Sequence, residues 1–361
     1  MKLHDVVIIG AGLGGLRTAT LLADAGRETL IIEADGRLGG RILSVDAGAS
    51  SASGRFDMGP AWFWPVMQPR MRRLVTDIGL HAYEQQADGE MLLERSALRP
   101  PQRVPTFTQE PASFRITGGM AALIEGLVAQ LSPDRIQRNH RVTRVEHDTD
   151  AVMVHCLSTG GIQSTVRCRQ LVIALPPRLA AETIAFSPGL PLQLERAMRQ
   201  TPTWMAGQAK YVAVYQHPFW RDYGLSGAAR SALGPLAEIH DASIPNGPAA
   251  LFGFVGLSAA QRQSAGPTWE SAALAQMVRL FGDAAGSPVA VHVQDWARSP
   301  RTATAQDWPP LTAHPQYGAL PDPGSVWRDR LVWAGTETAP GHGGYLEGAL
   351  EAAERVAAAL R

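Results

Sequence analysis

The chain has 361 residues, 45% of them apolar and 18% charged, which suits a soluble globular protein of about two domains. Lys+Arg and Asp+Glu both number 33, so there is no basic excess, and general nucleic-acid binding is disfavoured. Gly (36) and Pro (26) stay below the share that marks disorder and speak for many turns. Two cysteines, Cys156 and Cys168, make neither a disulfide framework nor a zinc spacing, so a reducing compartment fits. No apolar run approaches the roughly 18 residues of a membrane span, and the run at the N-terminus is too short for a signal peptide. A cytoplasmic protein is expected.

Val6–Ile9 is a continuous β-branched run, as in a parallel strand buried on both faces. Glycines follow, then Leu16, Ala19, Leu22 and Ala23 at helical spacing, then the short strand Leu30–Ile32: a βαβ unit. Gly10-x-Gly12-x-x-Gly15 lies between strand and helix, where it permits a tight turn, close backbone approach to a diphosphate and close helix packing. Glu33 ends the second strand, placed to accept hydrogen bonds from a ribose. Arg37, Gly39, Gly40 and Arg41 follow in a basic, glycine-rich loop that can hold phosphates.

Met120, Leu123, Ile124, Leu127, Val128 and Leu131 predict an amphipathic helix opening after Gly118-Gly119 and stopped at Ser132-Pro133-Asp134. From Arg135 the pattern turns to β. Val142 and Val145, the alternating Val152, Val154 and Cys156, and a return through Val166 predict a small meander before another parallel strand in Leu171–Pro177. Residues 187–298 read as strands Lys210–Tyr215 and Leu251–Val255 with one helix near Glu270–Phe281. The chain closes with the strand Arg330–Gly335 and a helix with Leu346, Ala349, Leu350, Ala353, Val356 and Leu360 on its apolar face.

Lys210 is conspicuous because the only other lysine is Lys2. Period-2 alternation aligns Lys210 with Val212 and Val214, so it is either the charged end of an edge strand or buried for a reason.

With these motifs in place, the sequence resembles the flavin-containing amine oxidase family, the monoamine and polyamine oxidase group. Phe56–Trp62 (FDMGPAW) is similar to the segment under the flavin, Leu171–Pro177 (LVIALPP) to the strand closing the FAD domain, and Trp333–Ala357 to the C-terminal flavin motif. The pieces span the chain in the family's order.

The resemblance implies an α/β fold: a Rossmann-type FAD-binding domain with an inserted β-meander, plus a smaller mixed-sheet substrate domain. Residues 1–78, 115–186 and 299–361 would form the first, and 79–114 with 187–298 the second. Carried over, it makes Gly10, Gly12, Gly14, Gly15, Glu33, Ala34, Arg37, Gly40 and Arg41 cofactor-binding, with Gly59, Pro60, Ala61, Trp62, Val142, Gly335, Glu337, Gly344 and Leu346. It makes Lys210 the lysine that holds a water at flavin N5, Trp296 the tryptophan near the flavin, and Tyr345 one half of an aromatic sandwich that guides the amine. It implies no metal.

Two departures stand out. Counted back from Pro309-Pro310, Ala303 and Thr304 occupy the positions of the family's flavin-linking cysteine and second sandwich tyrosine. Non-covalent FAD is therefore expected, and the lost tyrosine argues against a simple monoamine. The insertion between Trp62 and Gly118 is also short, which suggests a more open site. The leading expectation is an FAD-dependent amine oxidase that uses O2 and releases H2O2. The alternatives are a flavoprotein acting on a dihydropyridine nucleotide, a porphyrinogen or a biosynthetic intermediate, and a module whose FAD is structural. A small-molecule substrate and no membrane partner are expected.

Overall fold

The computed structural model describes residues 2–48, 54–107, 110–148 and 150–361. Strand Leu3–Ile9 pairs in parallel with Thr29–Ile32 on one side and Gln163–Ile173 on the other. Val6, Val7 and Ile8 are fully buried, as a two-sided apolar strand in a parallel sheet must be. Ile136–Gln137 and Leu331–Trp333 add further parallel partners, and the meander completes an eight-stranded sheet.

The meander differs from expectation in one respect. The return strand and the following parallel strand are one continuous strand, Gln163–Ile173, with no break between. Its first half is antiparallel to Val152–Ser158, while residues from Arg167 onward pair in parallel with Leu3–Ile9. Nothing between Val166 and Leu171 interrupts the chain, since this stretch holds no Gly or Pro.

Helix Leu13–Asp24 packs with the last helix, Leu346–Ala359, in one core cluster through Leu16, Leu22, Leu350 and Val356. That packing brings the two ends of the chain together. Helix Ala121–Val128 joins the same cluster, and its exposed amides are satisfied from afar: Met120 N donates to Asp57 Oδ1 at 2.8 Å and Ala121 N to Ser44 Oγ at 3.0 Å.

A second, seven-stranded sheet holds Ala209–Tyr215 between Ala249–Val255 and Ala290–Asp295. All seven residues of Ala209–Tyr215 are buried, so Lys210 does not sit on an edge strand. On one face Tyr211, Ala213 and Tyr215 pack under helix Thr268–Phe281 through Trp269, Ala273 and Met277. On the other, Val212, Val214 and Phe252 meet Phe56 and Met58. The alternation read in the sequence is this division of faces. Helices Leu192–Gln200 and Ala259–Ala265 were not expected; at nine and seven residues they are too short to show a helical period.

The observed architecture is the expected mixed α/β one.

Candidate active site

One cavity runs from the first glycine turn to the second sheet. At its first end Gly10 adopts φ +101°, a conformation open to glycine, and its amide donates to Ile32 O at 2.9 Å. A Cβ on Gly14 would lie 2.5 Å from Ala334 O, and one on Gly15 would lie 2.0 Å from Gly10 O. At Gly12 the space is open, the nearest atom being Gly39 O at 3.9 Å. Helix Leu13–Asp24 begins here with no side-chain cap and no acid in its first turn. No side chain caps its first amides, and Gly12, Leu13 and Gly14 line the cavity there, as an anion site requires.

Glu33 is buried at the rim of this cradle, accepting from Ala11 N and Asp35 N, both at 2.8 Å. Ala34, Gly40 and Val142 line the same end. Arg37 is committed differently from expectation. Its guanidinium donates to Gly40 O at 2.6 Å and Ile42 O at 3.1 Å, so it folds the loop more than it offers a free phosphate clamp.

Gly335, Gly344 and Leu346 close the opposite wall, where helix Leu346–Ala359 also starts without a side-chain cap. Thr336 Oγ1 pins that turn by donating to Tyr345 O at 2.7 Å. Glu337 lies behind the lining and is 1% exposed. Arg41 approaches it at 2.7 Å, yet neither carboxylate oxygen accepts a well-directed hydrogen bond. Gly15 likewise sits behind the lining, as a packing residue.

Two uncapped helix starts and a glycine cradle without side chains converge on one cavity, with the Arg41 cation in its lining and Glu33 at its rim. Amide donors and a cation for a diphosphate, with a carboxylate to accept from a ribose, suit a dinucleotide, so the residues fit FAD.

Where the cradle meets the second sheet stands Lys210, 3% exposed. Its Nζ donates to Asp57 O at 2.9 Å and Gly59 O at 2.8 Å, and lies 4.4 Å from the centre of the Phe252 ring. Burial pushes its ammonium down from 10.5 to about 7; the Asp57 charge opposes the shift and Arg115 adds to it. Trp296 is buried beside it, its Nε1 donating to Met58 O at 2.9 Å. Gly59 has no room for a side chain, because a Cβ would lie 2.0 Å from Arg41 O. Pro60, Ala61 and Trp62 continue the wall, and Trp62 Nε1 donates to Gln85 Oε1 at 2.7 Å.

Tyr345 lines the cavity as expected. Ala303 and Thr304 do not: both are buried, and Thr304 is turned away into a capping box with Asp307, its hydroxyl donating to Asp307 Oδ2 at 3.0 Å. Pro300, Arg301 and Thr302 face the cavity in their place. The short turn Ala305–Asp307 that Thr304 caps follows directly. Trp204 was also missed. It lines the cavity near Tyr345, and no periodic signal marks it.

Comparison with known proteins agrees. The family model for flavin-containing amine oxidoreductase matches residues 13–109 and 93–361. A probable flavin-containing monoamine oxidase A of Dictyostelium discoideum is 28% identical over 68% of this chain, and the match spans 53% of that protein. Amine oxidase [flavin-containing] A of Equus caballus is 25% identical across 98% of this chain and 84% of its own length. In fold, the chain is similar to cyclohexylamine oxidase from Brevibacterium oxydans (TM-score 0.80, 22% identity, 99% of both chains). It is also similar to putrescine oxidase bound to putrescine (TM-score 0.77, 20% identity, 99% of this chain and 98% of the other). Among the described residues, no helix is long and apolar enough to cross a membrane. This chain belongs to the flavin-containing amine oxidoreductases, a family of FAD-dependent enzymes.

Proposed function

We propose that the protein is an amine oxidase that binds FAD without a covalent link, removes a hydride from the carbon beside an amine nitrogen and returns the electrons to O2 as H2O2. When bound, FAD supplies the two-electron acceptor for that hydride. The observation that carries the reading is Lys210: a rare lysine, buried among aromatic rings where the dinucleotide cradle meets the second sheet.

The residues present would divide the work as follows. The uncapped amides after Gly12 would hold the diphosphate of FAD, and Glu33 would accept from its ribose. Arg41, held by Glu337 behind the lining, would brace the central stretch of FAD, and Gly344 with the Leu346 amide would hold its flavin end. Lys210 as an ammonium has three N–H groups. Two are taken by Asp57 O and Gly59 O, which leaves one to hold a water in the cavity. Trp296 keeps the Met58 carbonyl, and hence the neighbouring segment, in place. Tyr345 orients the neutral amine, and the imine product is hydrolysed by water.

Sheet membership supports assigning 1–78, 115–186 and 299–361 to FAD binding and 79–114 with 187–298 to the substrate side. A cytoplasmic location is part of the same reading. The test is product balance in air: one carbonyl product, one ammonia and one H2O2 for each primary amine consumed. Consumption of an amine without H2O2 would overturn the oxidase reading.

A further inference from the structure

The expected aromatic partner of Tyr345 is absent from the Thr304 position, but a second large ring is present. Trp204 and Tyr345 both line the cavity, with ring centroids 6.4 Å apart and planes inclined by 56°. His314 lies outside the lining and buttresses both rings. It meets Trp204 edge-on at 4.6 Å and stacks flat on Tyr345 at 4.9 Å with planes 8° apart.

Two features show that this arrangement is built. Met205, the next residue, adopts φ +61°. Among the described residues the other non-glycines with positive φ are Asn139 and Asn246, a residue type that tolerates it, whereas methionine carries strain there. Gly344 faces Trp204, and a Cβ on it would lie 2.9 Å from Trp204 Cβ. A strained backbone on one segment and a missing side chain on the other bring the two rings together.

The lining also has a charge pattern. Its carboxylates among the described residues, Glu33 and Asp35, both belong to the dinucleotide cradle. Around Trp204, Tyr345 and Lys210 it presents Trp62, Phe254 and Gln208, with the cation Arg301 also in the lining. Glu238, which pairs with Phe254 in the sheet, is engaged by His240 at 2.9 Å and Arg230 at 3.5 Å and lies outside the lining. A second ammonium on the substrate would lose its water here without gaining a counter-charge, which is costly.

We propose that Trp204 is the second aromatic wall of the amine-binding end, and that with Tyr345 it selects an amine carried on one apolar aryl or alicyclic body with no second charge. This rests on the amine oxidase reading, so its test includes a ligand that cannot turn over. Aniline is an aryl amine whose nitrogen-bearing carbon has no hydrogen to give. Titration of the holoenzyme with aniline, followed by perturbation of the flavin spectrum, gives a Kd for the parent, Trp204→Ala, Trp204→Phe and Thr304→Ala, with flavin content and melting temperature checked on each. We expect Trp204→Ala to weaken binding at least tenfold, Trp204→Phe to stay within about threefold and Thr304→Ala within about twofold. In turnover, benzylamine or cyclohexylamine should exceed 1,4-diaminobutane at least tenfold in kcat/KM, with the Trp204→Ala loss falling mainly on KM.

An aniline Kd unchanged in Trp204→Ala, with FAD retained, overturns the wall. A diamine used as well as benzylamine overturns the substrate class. Trp204-dependent aniline binding in a parent that oxidises no amine would instead keep the wall and sink the oxidase reading.

Discussion

Lys210 Nζ donates to the carbonyl of Gly59 at 2.8 Å, which joins a central strand of the second sheet to the segment beside the dinucleotide cradle. The bond depends on Gly59 having no side chain, since Arg41 O occupies the space a Cβ would take. The lysine is thereby held by two carbonyls and two aromatic rings, with no direct carboxylate partner among the described residues. Burying such a group carries a desolvation cost that its carbonyl and ring contacts must offset.

Lys210→Met should keep the fold and the bound FAD. Loss of one positioned polar group in a closed site costs on the order of a hundredfold in rate, about 3 kcal/mol. Rapid mixing of the holoenzyme variant with amine, and then of the reduced variant with O2, should show that loss in reoxidation at least as strongly as in reduction. Parent-like rates in both half-reactions would make Lys210 a packing residue.

The same lysine gives a pH signature in stability. Its ammonium falls from 10.5 in the unfolded chain to about 7 in the fold. Below about pH 7 both states carry the proton and the burial penalty is fully present. Between about pH 7 and 10.5 the unfolded chain binds the extra proton, so stability must rise with pH across that window. Urea unfolding of the parent should therefore gain on Lys210→Met as pH is raised from about 7 to about 10. A constant difference would show that Lys210 keeps its ordinary value.

FAD should leave the protein intact on acid precipitation. The segment facing the cavity, Pro300–Thr302, holds no cysteine. Cys156 and Cys168 are buried in the first sheet's core, where burial lifts their thiols to about 11 and about 12. Yellow colour in the pellet would reveal a covalent link.

Gly15→Ala should cost about 3 kcal/mol or more and lower flavin occupancy, because the new Cβ meets Gly10 O at 2.0 Å and backbone must move. Gly160→Ala is the matched control, with its nearest atom at 3.8 Å. Flavin-to-protein ratio and melting temperature for the two variants decide the point; equal values would contradict the packing role.

The dinucleotide cradle was legible because sterics dictate it: only glycine fits at Gly10, Gly14 and Gly15, and the flanking strands announce themselves by continuous apolar runs. Lys210 was legible through rarity and alternation. The aromatic wall was not. Trp204, His314 and Tyr345 come from three distant segments with no shared period, and their meeting depends on a strained turn at Met205 and a missing Cβ at Gly344. That Thr304 lies outside the lining was not legible either, since it depends on a capping box with Asp307, which Arg178 anchors at 2.5 Å. Arg37 was assigned by its charge, but its bonds go to the loop backbone.

The most direct test of the account is anaerobic mixing of the purified yellow protein with benzylamine, cyclohexylamine and their counterparts deuterated at the carbon beside nitrogen, following the flavin's visible absorbance. The account predicts that an amine bleaches the flavin and that deuteration slows the bleaching several-fold, because the carbon–hydrogen bond is the one broken. A flavin that a chemical reductant bleaches but none of these amines does would contradict it.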